Sequence, residues 1–250
     1  MLKYIVAYAR AALLLVHTAL HMTGLFVHAL FYRGDKDLIG FRYRRLWAKR
    51  ALKILGIKIV EDRINHHDGV ALYISNHRTL TDPIIQMAYF DSYVIAKSDV
   101  GGLPIIGAGA RMTGIILVDR NNRRSRLWAR QKTEELLASG KSVLVYAEGT
   151  TTVERSTGTF KIGTFKAAST HKVPVVPIAI EYRDAKDYWF VDKLSDQMIG
   201  QVGTGSTHVK IHIGEALSED NPQDLLNQTQ SWIDDSLASM QHGWSSIFKP

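Results

Sequence analysis

Short apolar runs that alternate with helix-patterned segments constrain the fold of this 250-residue chain more than any other feature. Runs at residues 57–60, 70–74, 93–96, 115–118, 143–146 and 175–180 have the length and β-branched content of strands. Between them, residues 83–90, 103–110, 124–139 and 164–170 carry helical patterns, the third closed by Gly140. This alternation predicts an α/β body, a central sheet flanked by helices. Residues 188–191 and 208–213 read as further strands, and 222–242 as a closing amphipathic helix.

Functional side chains in such a body gather where strands end. The run Ser75-Asn76-His77-Arg78-Thr79-Leu80-Thr81-Asp82-Pro83 follows the strand at 70–74. His77 therefore sits on a strand-to-helix loop, with a carboxylate five residues on. A carboxylate bonded to one ring nitrogen fixes the tautomer and stabilises the imidazolium, so the pair reads as a general base and its orienting partner. Asp82 followed by Pro83 also reads as a helix N-cap with proline at N1.

Composition narrows the chemistry. With no cysteine, the chain has no disulfide framework, no thiolate zinc site and no thiol-based acyl-enzyme. The glycines at 101–102 and 107–109 lack a dinucleotide-binding context, and no Gly-Lys-Ser/Thr phosphate loop occurs. No nicotinamide, ATP or metal is therefore expected. The net charge of +7 is unevenly placed, with +9 in the first 60 residues and −2 in the rest. Charge confined to one end beside a long apolar helix points to an anionic membrane surface rather than to nucleic acid.

That apolar helix covers residues 5–32 and is long enough to span a bilayer. It is longer than an ordinary signal-peptide core and is interrupted by Arg10, His17, His21 and His28. At about 100° per residue these four fall within a sector of roughly 40°, beside Gly24. This narrow polar stripe is suited to face the protein body, water or lipid headgroups. Gly34-Asp35 breaks the helix, and residues 36–55 form a second, bearing Arg42, Arg44, Arg45, Lys49, Arg50 and Lys53 among Tyr43, Trp47 and leucines. The second helix reads as interfacial, with Trp47 and Tyr43 at the lipid boundary. The expected organisation is a membrane-associated helix pair over 1–56 and an α/β domain over 57–250. Positive residues are more numerous after Tyr32 than before it, which places that end at the cytoplasmic face of the inner or plasma membrane if the helix spans.

Four further segments follow the histidine run in order: Gly114-Ile115-Ile116-Leu117-Val118-Asp119-Arg120, Tyr146-Ala147-Glu148-Gly149-Thr150-Thr151, Phe160-Lys161-Ile162-Gly163 and Val173-Pro174-Val175-Val176-Pro177. With Asn76, His77 and Asp82, this ordered set resembles the glycerolipid acyltransferase family over roughly residues 60–215. The resemblance implies a glycerol-3-phosphate acyltransferase-like fold with a mixed central sheet. It also implies acyl transfer from acyl-CoA or acyl-carrier protein to the free hydroxyl of a lysophospholipid, most simply 1-acyl-glycerol-3-phosphate giving phosphatidate. His77 and Asp82 are then catalytic, with Asn76, Lys97, Arg120, Glu148, Gly149 and Thr150 on the substrate side. Backbone N–H groups near Gly149 and Thr150 are the expected oxyanion donors. The family carries arginine after Glu-Gly-Thr and assigns it to the acceptor's phosphate; this chain has Thr151 there, with Arg155 four residues on as a replacement if the loop is rearranged. A lyso-lipid with an amino-acid or zwitterionic headgroup is therefore the alternative acceptor, and a catalytically silent lipid-binding module the alternative class.

Overall fold

The computed structural model describes residues 1–97, 109–119, 121–190 and 193–244. The chain opens with α1 (Leu2–Phe31) and α2 (Lys36–Leu55). The body contains strands β1 (Ile57–Ile64), β2 (Leu72–Ser75), β3 (Tyr93–Lys97), β4 (Ile115–Val118), β5 (Val143–Tyr146), β6 (Val175–Tyr182) and β7 (Thr207–Ile213). Its helices are α3 (Asp82–Gln86), α4 (Arg123–Ala138), α5 (Gly163–His171), α6 (Leu194–Val202) and α7 (Pro222–Gln241).

The strands form one mixed sheet in the order β1-β7-β6-β2-β5-β3-β4. All neighbouring pairs are parallel except β6 with β7. Side-chain alternation splits the core into two layers. Tyr73, Leu144, Val176 and Ile178 face the layer that includes Ile85 of α3 and Ala48 and Leu52 of α2. Leu72, Ile74, Val143 and Val175 face the layer of Leu136 on α4, Phe165 on α5 and Ile233 on α7. Strand β6 runs through the middle, with every one of its eight residues buried.

The order also places the site. The chain leaves β2 toward β3 along one face through α3 and leaves β5 toward β6 along the other through α5. Adjacent strands whose connections diverge leave a crevice between their carboxyl ends, the usual ligand position in an open α/β sheet.

Several sequence expectations change. Residues 188–190 are not a strand, and Val191 lies outside the described residues. A 3-10 turn at Ala185–Asp187 precedes them, and Tyr188 turns inward, its hydroxyl bonding Glu181 and the carbonyl of Tyr182. The helix expected over 83–90 is regular only to Gln86, and the one expected over 103–110 lies largely outside the described residues. Helix α6 was not anticipated. Gly140 does follow α4 in the left-handed region (φ 73°), with Lys141 N–H reaching back to the carbonyl of Leu136.

The polar stripe of α1 faces the protein. Arg10 donates to the carbonyls of Val202 (2.6 Å) and Gly205 (3.0 Å), and a Cβ at Gly56 would collide with its guanidinium. His17 Nε2 meets the carbonyl of Trp47 at 3.2 Å. The boundary role expected for Trp47 and Tyr43 gives way to packing between the helices. Trp47 donates its indole N–H to Thr18 Oγ1, and the Tyr43 hydroxyl lies 3.4 Å from His28 Nδ1. The basic face of α2 is likewise partly spent. Arg44 is buried against Phe41 and donates to the carbonyl of Thr113, with burial pulling its pKa down to about 10, and Arg45 pairs with Asp91. What α1 leaves outward is apolar: Leu13, Val16, Leu20, Leu30 and Phe31 are all more than half exposed. Its length and composition suffice to cross a membrane.

Candidate active site

Strand β2 ends at Ser75 and the next six residues lead into α3. Asn76 locks that turn to the sheet, its amide donating to the carbonyl of Ile180 (2.9 Å) and its oxygen accepting the N–H of the same residue (2.8 Å). The side chain behaves as one more strand residue paired to β6 and is fully buried. The expectation that Asn76 contacts substrate is therefore replaced by a scaffolding role, since both polar atoms are spent.

His77 Nδ1 lies 2.7 Å from Asp82 Oδ2. The same oxygen accepts the backbone N–H groups of Arg78 (2.6 Å) and Thr79 (3.0 Å), and Oδ1 accepts the Tyr182 hydroxyl at 2.6 Å. A carboxylate can only accept, so Nδ1 carries the proton and Nε2 presents its lone pair. No described residue bonds Nε2. The imidazole stacks on Tyr146, centroids 4.0 Å apart, and the Tyr146 hydroxyl donates to Gln86, which donates to Ser75. Every contact fixes the ring in place and leaves one nitrogen for chemistry. Asp82 is not the N-cap its sequence context suggested. Thr81 holds that position, and the Asp82 carboxylate turns back to the loop N–H groups. Tyr182, buried beside that carboxylate, has its phenol pKa pushed far up by burial and by the charge.

The strand β5 end contributes Glu148, Gly149 and Thr150. Glu148 is buried, with Oε1 accepting the N–H of His77 (3.1 Å) and Oε2 that of Gly158 (2.8 Å). Burial raises its carboxyl pKa, opposed by those two N–H groups. With one backbone N–H on each oxygen, Glu148 ties the histidine loop to Gly158. Gly149 takes φ 76°, and its N–H closes a turn onto the carbonyl of Tyr146 at 3.0 Å. That N–H is thus unavailable to an oxyanion. The N–H of exposed Thr150 has no partner among the described residues.

Sequence reading missed the group that holds the two loops together. Arg78 is fully buried; its guanidinium donates to the carbonyls of Thr152 (3.1 Å), Glu154 (2.6 Å) and Arg155 (3.3 Å) and to Glu181 Oε2 (3.1 Å). Gln241 of α7 bonds both the Arg155 carbonyl and Glu181. The backbone at Arg155 is therefore held from two sides, and its residue lines a cavity of about 410 Å³ with Asp234, Ala238 and Gln241 of α7. The rearrangement that would bring Arg155 to the position of Thr151 is opposed by these bonds. Arg120 lies outside the described residues, as does the side chain of Lys97, whose backbone ends β3.

Known proteins align with this arrangement. A family model described as Acyltransferase matches residues 56–181. A chloroplast 1-acyl-sn-glycerol-3-phosphate acyltransferase of Brassica napus is 33% identical over 114 residues, 45% of this chain and 33% of that protein. A lyso-ornithine lipid O-acyltransferase of Rhizobium meliloti is 27% identical over 196 residues, 70% of this chain and 67% of that protein. The chain thus spans about a third of the length of the chloroplast relative and two thirds of the bacterial one. The crystal structure of the 1-acyl-sn-glycerophosphate acyltransferase PlsC from Thermotoga maritima shares the fold, with TM-score 0.77, 96% of each chain covered and 16% identity.

Proposed function

This chain belongs to the acyltransferase family, and from that premise we propose that it transfers a fatty acyl group from a thioester donor, acyl-CoA or acyl-carrier protein, to the free hydroxyl of a lysophospholipid. The observation that carries this reading is the 2.7 Å bond from His77 Nδ1 to Asp82, which leaves Nε2 as a base at the crevice between β2 and β5. Nε2 takes the hydroxyl proton as the lysolipid oxygen attacks the thioester carbonyl. The imidazolium is stabilised by Asp82, itself held by two backbone N–H groups and Tyr182. The Thr150 N–H faces the oxyanion. On collapse the carbon–sulfur bond breaks, and the proton on His77 passes to the departing thiolate. An ester and a free thiol result, and no thiol of the protein is involved.

The first acceptor is 1-acyl-glycerol-3-phosphate, supported by the chloroplast relative. A second acceptor, a lysolipid with an amino-acid headgroup, is favoured by Thr151 and by the longer match to the Rhizobium protein. The outward apolar surface of α1 and the basic residues left on α2 support attachment to anionic membrane at its cytoplasmic face.

The test is acyl transfer by membrane-extracted protein from radiolabelled acyl-CoA and acyl-carrier donors to a panel of lysolipids. Turnover on lysophosphatidate is expected, and turnover confined to the amino-acid lysolipid would select the second reading. Folded protein silent on every pair would refute acyl transfer and leave the lipid-binding module.

A further inference from the structure

The proposed acceptors share an anion, a phosphate in one and a carboxylate in the other, and the crevice must meet it with a cation. Among the described residues near the β5 end, Arg78 is buried with its two terminal guanidinium nitrogens on the loop carbonyls and Glu181, and the loop holds Arg155 beside α7. Lys161 remains. Its backbone N–H bonds the carbonyl of Ala147 at 3.1 Å, which lays residue 161 alongside the turn carrying Glu148 and Gly149. The side chain is exposed and runs across Gly149, so that a Cβ there would collide with Nζ. Gly149 also needs its positive φ of 76°, so glycine serves both the turn and the lysine's path.

The ammonium has neither an ion pair nor a hydrogen bond among the described residues. The nearby carboxylate, Glu148, faces the other way, its oxygens on the N–H groups of His77 and Gly158. An uncommitted charge is thus set one residue from Glu148, which bonds the His77 backbone, and beside the unpartnered N–H of Thr150.

We propose that Lys161 is the contact for the anionic group of the acceptor's headgroup, holding the lysolipid so that its free hydroxyl reaches His77. This rests on the acyltransfer reading given above. Lysine is suited to either source, since an ammonium is a point charge with three rotatable donors and demands no planar partner.

Binding without a donor tests it, because no turnover occurs. Wild-type protein in nanodiscs of neutral phosphatidylcholine is titrated with 1-acyl-glycerol-3-phosphate, with a lysolipid bearing an amino-acid carboxylate, and with monoacylglycerol. Lys161→Met is expected to weaken the anionic acceptor that wild type prefers by about tenfold, roughly the loss of one charge-assisted contact, with monoacylglycerol within twofold. Lys161→Arg is expected to retain most of the affinity. Whichever anionic lipid shows the loss identifies the source. Unchanged affinity for both anionic lipids in Lys161→Met overturns the proposal, as does an equal loss for monoacylglycerol, which marks damage to the fold. Acyl transfer with the same three acceptors judges the reaction separately. No transfer to any of them rejects the reaction, and the binding arms still decide the role of Lys161.

Discussion

The crevice at the ends of β2 and β5 and the helix α1 solve opposite problems. In the crevice nearly every polar atom finds a partner within the protein. Asp82 accepts four hydrogen bonds, and Arg78 reaches three carbonyls and a carboxylate. Along α1, Arg10, His17 and Thr18 bond the rest of the protein while most apolar side chains face outward; Ala7, Met22 and Leu25 are the buried ones among its thirty residues. One region is ordered by bonds it makes to itself, so its geometry is set before substrate arrives. The other has an outer surface suited to hydrocarbon rather than to water. The comparison teaches that an apolar stretch reports its solvent only through its partners: β6 and α1 are both apolar, and the first is wholly buried while the second is mostly bare.

Three changes separate the two regions, in decreasing order of effect. Asp82→Asn should lower acyl transfer by about 10²–10⁴, because an amide cannot accept from His77 and both loop N–H groups while keeping the imidazole tautomer. Vesicle binding should not change, and co-sedimentation alongside the rate assay checks both. Arg78→Met should destabilise the body by about 3–5 kcal/mol, since it leaves the buried Glu181 carboxylate without its cation and takes the donor from the carbonyls of Thr152 and Glu154. Denaturant melts read this, and adding Glu181→Gln should recover part of the loss. Replacing Leu13, Val16 and Leu20 of α1 together by serine should weaken vesicle association about 100-fold, each side chain contributing about 1 kcal/mol when half-exposed area enters lipid. Melting of the body should move little, so a large drop in the melting temperature would mean that α1 packs as core.

The smallest effect lies away from both regions, at the sheet edge. His212, buried on β7, donates from Nε2 to Glu61 of β1 at 2.8 Å. Burial holds the His212 pKa below its ordinary value, and the bond from His212 holds that of Glu61 below its own. As pH falls through about 6.5 and then about 4.3, the unfolded chain takes up protons that the folded chain resists, so stability declines across both steps. His212→Gln should flatten the upper step in melts recorded from pH 7.5 to 5, and an unaltered slope would remove this pair from the account.

How much of this could be read from the sequence depends on how far apart the partners lie. His77 and Asp82 are five residues apart on one loop, so their pairing is local and visible. Tyr182, which bonds Asp82, and Glu181, which holds Arg78, come from β6 about a hundred residues away, and only the sheet order brings them in. Distance also hid the roles of Asn76 and Glu148, whose partners Ile180 and His77 lie 104 and 71 residues away. A motif shows that these residues matter without showing whether substrate or backbone receives their bonds. Trp47 and Tyr43 looked interfacial because amphipathic aromatics suit a lipid boundary, yet Thr18 and His28 across the helix pair take their polar ends. The α/β pattern itself was legible, since strand length and helical periodicity are local properties.

The central claim is that His77 acts as the base from a position the surrounding bonds have fixed in advance. Its most direct test is the acyl-transfer rate of His77→Ala against wild type at saturating donor, with melting temperature and vesicle binding measured on the same preparations. The account predicts a loss of at least about 10² in rate with melting and membrane association nearly unchanged. A His77→Ala protein that keeps its rate would contradict it and move the base elsewhere in the crevice.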